Sequence, residues 1–258
     1  PQLRRLTEQQ YRNTIRDVFG RHIVVAGRFD PLERIDGLLA LGASSAAITP
    51  AALERYEALG RSIALQVVNE RNRKVLVPCS PKSLSAPDET CAAKFFSSVG
   101  RFLFRRPLTE AAEQLYVNIA GDAGTQLEDF YNGLAYGLAG MMVSPKFLFL
   151  NERSEPDPKR PGLYRLDGYS KASRLSFLLW NTTPDEALLS AAESGALDTT
   201  QGLENQFDRM ITSRRFEDGI RAFFEDMLEF ERFEVLEKDP IIYHAFVLDV
   251  PDHAKEQT

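Results

Sequence analysis

The side chains best suited to ligate a metal or a haem are three histidines, His22, His244 and His253, in different segments of the chain. Metal sites need ligands at close spacing, but none of the three belongs to an H-x-x-x-H or E-x-x-H motif. For each histidine the role of an axial haem or metal ligand stays open, but a surface or helix-capping role is favoured. G-x-S-x-G, G-x-G-x-x-G and Walker motifs are absent from the sequence, so it carries no hydrolase or nucleotide-binding signature.

Two cysteines, Cys79 and Cys91, are separated by eleven residues rich in proline and serine. The spacing differs from the C-x-x-C of redox motifs, and the pair flanks a loop. A disulfide bond is therefore favoured over two free thiols. In an oxidising compartment this bond would stabilise the fold by roughly 3 kcal/mol.

Three arginines stand in strongly apolar sequence: Arg101 and Arg105 in RFLFRRP, and Arg174 in SRLSFLLW. An unpaired buried guanidinium is costly, so each should have a carboxylate or helix-end carbonyls within hydrogen-bond reach. Structural pairing is the favoured interpretation, with Arg174 at the edge of a buried face. The alternative is that Arg174, with Arg101 or Arg105, forms a site for an anion or a haem propionate.

Two further groups of residues have a structural and a functional interpretation. Met141 and Met142 could be soft ligands near a haem edge, but their place at the end of an apolar helix predicts core packing. An acidic run between Glu225 and Asp239 alternates with phenylalanine and leucine, as on a solvated helix face. Docking of a basic cytochrome on this run is the less favoured alternative.

Helix-start signals recur along the chain, whereas strand signals are sparse. Thr7 and Gln10 have the spacing of a capping box. Apolar periodicity and caps predict helices from Thr7 to Gly20, Thr49 to Val68, after Cys91 to Leu103, Thr109 to Ile119, Leu127 to Val143, Asp167 to Trp180, Thr183 to Gly195, Leu203 to Thr212 and Phe216 to Val235. We expect a mainly α fold, a multi-helix orthogonal bundle that can divide into two helical subdomains, with no substantial sheet.

Some short runs carry more specific expectations. The strand-like runs His22–Val25 and Lys74–Val77 are too short and isolated to build a sheet. The run Lys146–Leu150 stays open between extended and helical structure. Three glycines recur along one predicted helix and indicate a close crossing with another helix: Gly133, Gly137 and Gly140.

The only tryptophan, Trp180, ends a helix whose last turn, with Phe177 and Leu178, is apolar nearly all round. This pattern predicts burial of the helix end. The following Thr183-Pro-Asp-Glu sequence combines a capping box with a proline at the first helical position. Asp185 adds an acid that favours a helix N-terminus.

Proline spacing suggests the domain organisation. Residues 154–162, SEPDPKRPG, are the expected linker. The linker would join an N-terminal helical region, residues 1–153 with the cysteine loop, to a second helical region, residues 163–258. The sequence from Asp252 to Thr258 resembles the opening of a helix, so we expect a fragment of a longer protein, truncated in its second region.

The composition of the chain excludes some classes of binding partner. The net charge is −6 and the pI is near 5.3, so no basic field draws the chain to nucleic acid or anionic lipid. The longest apolar runs have four residues, as in Phe177–Trp180, and are far shorter than the ~20 residues that span a bilayer. We therefore expect no nucleic-acid partner and no membrane span.

Five segments in order resemble one family: LRRLTEQQYRNTIRDVFG (3–20), ITPAALERYEALGRSIA (48–64), CAAKFFSSVGRFLFRRPLTEAAEQLY (91–116), MMVSPKFLFLNE (141–152) and YRLDGYSKASRLSFLLWNTTPDEALLSAAESGAL (164–197). Their R-R-P-L-T and S-R-L-S-F-L-L-W signatures resemble the planctomycete- and myxobacterial-type exported, cytochrome-associated multi-module proteins of unknown function. The resemblance implies export to the periplasm or cell surface of a bacterium, near c-type haem domains. Because the sequence has no C-x-x-C-H, a c-type haem would lie in a neighbouring module, and no cofactor is expected within this chain.

The favoured function is a non-catalytic helical interaction or scaffold module of an exported, redox-associated protein, with a cytochrome module or another protein as partner. The alternative is part of a haem- or metal-dependent oxidoreductase whose site is completed outside this chain. A surface- or carbohydrate-binding scaffold is weaker, because the lone tryptophan is predicted to be buried. No catalytic residue is predicted; the predicted structural residues are Cys79, Cys91, Trp180, Arg174, Arg105, Arg101 and Asp185.

Overall fold

The computed structural model describes residues 3–32, 34–35, 37–39 and 48–230, with the single residues 232, 239, 242, 243, 250 and 253. The described part of the chain is mainly α, as predicted. Its helices are α1 (Glu8–Phe19), α2 (Pro50–Val68), α3 (Arg73–Leu76), α4 (Glu89–Leu103), α5 (Glu110–Leu127), α6 (Phe130–Val143), α7 (Pro145–Leu148), α8 (Gly168–Leu179), α9 (Glu186–Glu193), α10 (Thr200–Ile211) and α11 (Arg215–Met227). Of these helices, none is long and apolar enough to cross a membrane.

The helices begin where side chains can cap them. Thr7 Oγ1 accepts from the Gln10 N–H at 3.2 Å while the Thr7 N–H donates to Gln10 Oε1, so the predicted capping box is present. Single side-chain caps of the predicted type start α2, α5 and α8, at Thr49, Thr109 and Asp167. Gly20, with φ of +93°, ends α1 because glycine tolerates the positive φ that turns the chain away.

A large core is formed by α1, α2 and α4–α7. Its centre includes Phe95 and Phe96 of α4 and Leu138 of α6, all fully buried. Met141 and Met142 are fully buried in the same core, so the prediction of core packing is confirmed for both. Burying each side chain of this size contributes about 1.5–3 kcal/mol to the stability of the fold.

Helices α5 and α6 cross closely at two of the three predicted glycines. A Cβ at Gly133 would lie 2.9 Å from Gly124 Cα, and closer still to a carbonyl oxygen of α5. A Cβ at Gly137 would lie 3.0 Å from the Tyr116 carbonyl oxygen. Gly140 differs, because the nearest atoms would be 3.8 Å away, an ordinary contact. The close crossing is confirmed, but it does not require a glycine at the third position.

We expect Gly133→Ala to lower the free energy of unfolding by about 1–3 kcal/mol, because the added methyl group must push two helices apart. Gly121→Ala is the matched control, since Gly121 lies in α5, the helix that Gly133 of α6 packs against, and a Cβ there would meet nothing within 4 Å. This control should gain about 0.4–1 kcal/mol through the reduced freedom of the unfolded chain. Denaturant titration tests the pair, and losses of equal size would contradict a tight crossing.

The predicted disulfide bond joins Cys79 to Cys91. Cys91 is buried in the first turn of α4. Asp88 caps the same helix, with its carboxylate accepting from the N–H of Cys91 at 3.0 Å and of Lys82 at 3.1 Å. These hydrogen bonds, that from Cys91 foremost, hold the pKa of Asp88 below its ordinary value. The disulfide bond and the Asp88 cap together fix the loop between Cys79 and Cys91 to the start of α4.

We expect the double variant Cys79→Ser/Cys91→Ser to lose roughly 3 kcal/mol of stability, because the bond restricts the unfolded chain. Denaturant titration of the variant against the oxidised parent measures the loss. Non-reducing mass spectrometry of protein from its native compartment should show a chain lighter by two hydrogen atoms than the reduced form. Two free thiols in that material would contradict the prediction.

Four three-residue strands form two small antiparallel pairs in the described residues, which agrees with the prediction of no substantial sheet. Strand β1 (Leu3–Arg5) pairs with β2 (Phe149–Asn151), and this brings the start of the chain beside the end of α7. Strand β3 (Ser154–Pro156) pairs with β4 (Tyr164–Leu166). Residues 154–162, the predicted linker, thus supply one strand and the turn of a hairpin. The domain limits stay a prediction.

Several local expectations are corrected by the structure. The open run Lys146–Leu150 divides between α7 and β2, whereas Lys74–Val77 lies mostly in the short helix α3. Helix α5 runs to Leu127, well beyond the predicted end. Helix α10 starts at Thr200 because Thr199 caps it. Helix α11 ends at Met227, so its predicted continuation is wrong for residues 228–230, and Val235 lies outside the described residues.

A second, smaller core surrounds Trp180, between α8, α9 and α10. Trp180 is 2% exposed, and its Nε1–H donates to the Met210 carbonyl at 3.0 Å. Phe177 is buried in the first core, as predicted. The prediction of burial is wrong for Leu178, which is 71% exposed. Consecutive residues of a helix point in different directions, so burying Phe177 leaves Leu178 outside.

Helix α9 starts two residues later than the predicted cap implies. Asp185 is the N-cap, and its carboxylate accepts from the Leu188 N–H at 2.9 Å. The Thr183 hydroxyl instead donates to the Phe102 carbonyl at 2.6 Å and ties this corner to α4. Gly195, with φ of +75°, follows α9 and ends it as predicted.

Candidate functional site

A groove of about 1740 Å³, here called the central groove, separates the N-terminal helices from α8 and α11. Its lining comes from α1, the turn after α4, the α7–β2 segment, α8 and α11. Small-molecule pockets usually measure about 300–1,000 Å³, so this groove exceeds what a small ligand needs. The groove collects side chains that are far apart in sequence.

One side of the central groove is apolar. This apolar wall consists of Leu178, Ile220, Phe223 and Phe224. All four are exposed, Phe223 to 49%, and the two phenylalanine rings meet edge to face at 5.4 Å. Helix α11 can lie directly on the end of α8 because Gly219 has no side chain; a Cβ there would be 2.9 Å from the Trp180 backbone nitrogen. Grouped apolar side chains of this size typically mark an interaction site.

Another side of the groove is basic. This basic wall consists of Arg106, Lys146, Arg153 and Arg174. Arg174 donates to both carboxylate oxygens of Glu152. Lys146 and Arg153 are exposed, and among the described residues no carboxylate pairs with either. The wall therefore keeps two cations available to a ligand or partner.

Asp167 links the basic wall to α8. Its carboxylate accepts from the Ser170 N–H at 2.7 Å as the helix cap and pairs with Arg106 at 3.1 Å. Although burial acts to raise it, the hydrogen bonds from Ser170 and the charge of Arg106 hold the pKa of Asp167 below its ordinary value. The carboxylate is thus ionised at neutral pH and keeps Arg106 in place.

Arg4 lies in the lining between the two sides of the groove. Its strand pairs with β2 at Leu150. Burial lowers the pKa of Arg4, and the carboxylates of Glu152 and Asp226 act in the opposite direction. An arginine stays charged at neutral pH, so Arg4 adds a cation to the lining.

Arg105 is buried beneath the basic wall, and no carboxylate within the described residues contacts it. Its guanidinium donates to backbone carbonyls around the end of α7, those of Lys146 (2.5 Å), Phe147 (3.2 Å) and Phe149 (2.8 Å). Burial, with the charges of Arg106 and Arg4, lowers the pKa of Arg105 to about 9. The group is protonated at neutral pH and holds the α7–β2 corner by charge-assisted hydrogen bonds.

The alternative of an anion site formed by Arg174 with Arg101 or Arg105 gains no support from the structure. Arg105 and Arg174 both line the groove, but the Arg105 guanidinium is buried and bonded to backbone carbonyls. Arg101 lies outside the groove lining and pairs with Glu186 and Glu193 of α9, at 3.2 and 2.9 Å. Arg174 has a carboxylate within reach, but its side chain is 58% exposed, so its expected place at a buried edge is wrong. The face of α8 that carries Arg174 opens to the groove. Solvent limits such a pair to about 1 kcal/mol.

Polar contacts join the two sides at one end of the groove. The Asn181 side chain donates to the Gln9 side chain at 2.7 Å, and the backbone carbonyl of Asn181 accepts from the Asn13 side chain at 3.1 Å. Gln9 also donates to Glu225 of α11 at 3.3 Å. These contacts set the position of α8 and α11 relative to α1, so the groove is formed without a ligand.

Trp180 supports the apolar wall from below. The guanidinium groups of Arg209 and Arg215 lie 5.4 and 5.2 Å from its ring centre. Asp185 accepts from both Nη atoms of Arg209, at 2.7 and 3.0 Å. This network connects α8, α9, α10 and α11, and it fixes the helix that carries Phe223 to the second core.

The structure describes two of the three histidines considered for metal or haem chemistry. His22 and His253 are exposed, and His244 lies outside the described residues. In the part of the chain that the structure describes, no group of three or more His, Cys, Asp or Glu is placed to hold a metal ion.

The described acids of the Glu225–Asp239 run are engaged within the chain. Glu225 accepts from Gln9, and Asp226 pairs with Arg34 at 2.8 Å. Glu229 pairs with Arg232. Residues 231 and 233–238 of the run lie outside the described residues. These pairings do not favour the alternative of an acidic docking surface.

Sequence reasoning missed the groove. The apolar wall had a signal in the sequence, because Ile220, Phe223 and Phe224 recur at helical spacing and so share one face of α11. The basic wall had none, since its residues come from separate segments that only the tertiary fold brings together.

Comparison with known families gives three matches along the chain. Residues 4–69 match PSD3, a protein of unknown function (DUF1587); residues 91–152 match PSD5 (DUF1595); and residues 166–258 match PSD4 (DUF1592), both also of unknown function. The resemblance to multi-module proteins is thus confirmed in one respect: the chain contains matches to three domain families of unknown function. No curated protein matches the chain significantly, and no solved structure does so either.

Proposed function

We propose that this chain is a helical interaction module that holds a protein partner in its central groove. The observation that carries the proposal is the apolar wall, where large side chains of α8 and α11 stay exposed beside charged groups. Such anchors, rimmed by polar residues, supply most of the energy of protein–protein interfaces.

A protein segment suits the groove better than a small molecule. The volume of about 1740 Å³ exceeds that of ordinary ligand pockets. The Asn181 and Gln9 contacts hold the walls in place before binding, and such preorganisation lowers the entropic cost of association. The partner we propose is another module or subunit of the same assembly.

We further propose that the module works in an exported, redox-associated protein. The disulfide bond is typical of oxidising compartments. The resemblance of the sequence to cytochrome-associated families supports the same setting. In this arrangement the chain positions a cytochrome module or subunit, and any c-type haem belongs to that neighbour.

Site-specific photo-crosslinking in the full-length protein, in its native host, tests the proposal. A photoreactive side chain at Leu178 or Phe223 should form adducts with one defined polypeptide segment, the same from both positions. Val75, which is 83% exposed on α3 and lies outside the groove lining, is the matched control and should give no such adduct.

A second variant links the adducts to the groove itself. Ile220→Asp places a charge in the apolar wall and should abolish the adducts from Leu178 without unfolding the chain, because Ile220 is exposed. Different segments captured from Leu178 and Phe223, or equal capture from Val75, would contradict the proposed docking.

A further inference from the structure

We infer that the partner segment held in the central groove is acidic and amphipathic, with carboxylates placed beside large apolar side chains. The inference rests on the proposed docking function and adds the chemistry of the occupant. It follows from the charge of the groove and from the spacing of charged and apolar residues on α8.

The groove has the opposite charge balance to the whole chain. Its described lining contains eight basic and six acidic side chains, a net charge of +2. The whole chain carries −6. The described lining is therefore more positive than the chain as a whole, and this charge balance favours an acidic segment.

The cations of the groove are the available charges. Lys146 and Arg153 are exposed, and in the described chain they have no carboxylate partner. The acids of the α11 side already have contacts within the chain: Asp226 pairs with Arg34 at 2.8 Å, Glu217 pairs with Arg221 at 3.6 Å, and Glu225 accepts a hydrogen bond from the uncharged Gln9 at 3.3 Å. A basic partner would have to displace these contacts, whereas an acidic partner finds Lys146 and Arg153 free to pair.

Charged and apolar positions alternate within one turn of α8. Arg174 and Leu178 are four residues apart, so their side chains are neighbours on one helix face. Both line the groove and both are exposed. Glu152 already engages Arg174, but the position of Arg174 beside Leu178 shows that the basic and apolar walls adjoin on one face of α8. A segment that pairs with Lys146 or Arg153 and also contacts Leu178 therefore carries both carboxylates and large apolar side chains.

Two synthetic amphipathic peptides test the inference. They share the same apolar positions and differ only in carrying glutamate or lysine at the polar positions. Fluorescence anisotropy with the full chain should show about tenfold or tighter binding of the glutamate peptide. The preference should weaken as salt is raised, because exposed charges are screened.

Charge-reversal variants locate the effect. Lys146→Glu/Arg153→Glu should weaken binding of the glutamate peptide about tenfold. Arg71→Glu/Lys74→Glu makes the same change of charge at exposed positions outside the groove lining and should leave the affinity within about twofold. Equal unfolding midpoints show that both variants fold. Should the groove pair unfold the chain, Lys146→Gln/Arg153→Gln makes the same test with a smaller expected effect.

Several outcomes would overturn the inference. They are equal or tighter binding of the lysine peptide, equal weakening by both charge-reversal pairs, and absence of binding by both peptides. The docking function itself is decided separately, because cross-links from Leu178 and Phe223 report a partner of any charge.

Discussion

Replacing Trp180 with alanine is expected to lower the free energy of unfolding by about 3–5 kcal/mol, since it removes the largest side chain of the second core and leaves a cavity. Trp180 is 2% exposed. The variant also deprives the Met210 carbonyl of its indole donor, at 3.0 Å, and removes the ring beneath Arg209 and Arg215. Four helices meet at this side chain, so little of the cavity can close.

Chemical denaturation measures the loss. Leu178→Ala is the control, because Leu178 is close by in sequence but exposed, and exposed substitutions usually change stability by less than about 0.5 kcal/mol. As the chain has one tryptophan, its fluorescence also reports burial directly. A red-shifted, water-exposed emission, or a loss for Trp180→Ala no larger than for the control, would contradict the structure of the second core.

Arg105→Ala is expected to cost about 3–5 kcal/mol, the range found when one partner of a buried charged contact is removed. Three carbonyls at the end of α7 would lose their donor, and each buried carbonyl without a partner costs about 1–3 kcal/mol. Because Lys146 lies in α7 and Arg153 follows β2, the substitution should also disturb the basic wall.

Two further variants separate the contribution of the Arg105 side chain to stability from that of its backbone conformation. Arg105 has φ of +58°, a left-handed conformation that costs roughly 1–2 kcal/mol for residues other than glycine. Arg105→Gly should therefore be less destabilising than Arg105→Ala by about that amount. Arg105→Lys keeps the charge but loses the planar fork, so it should fall between alanine and the parent chain. A loss below about 1 kcal/mol for Arg105→Ala would show that the carbonyl contacts are dispensable.

The parts of the fold that sequence could predict are those set by local chemistry. Thr7, Thr49 and Thr109 cap helices because a hydroxyl meets N–H groups three residues ahead. The disulfide was predictable because Cys79 and Cys91 flank one loop. The prediction of Thr183 as a helix cap was wrong because a second capping residue lies two positions further on. Asp185 caps α9, and the Thr183 hydroxyl donates to the Phe102 carbonyl of α4 instead.

The candidate site was not predictable in the same way. Its contacts join residues 22 apart, as in Arg174 with Glu152, or 192 apart, as in Arg34 with Asp226. The periodicity of apolar residues along one helix does not predict ion pairs between residues so far apart in sequence. Leu178 shows the same limit, because an apolar helix end predicts burial but only the packing of two cores decides which residue stays outside.

Thiol labelling of the central groove in the native, full-length protein tests the docking function most directly. Leu178→Cys and Val75→Cys carry probes at similarly exposed positions, 71% and 83%. The described part of the chain has no free cysteine to compete. If the groove were open, the thiol at position 178 should react at a rate similar to that of the control, because the two positions are similarly exposed. A docked partner predicts much slower labelling at position 178 than at position 75. Equal or faster labelling at position 178 would contradict the docking of a partner in this groove.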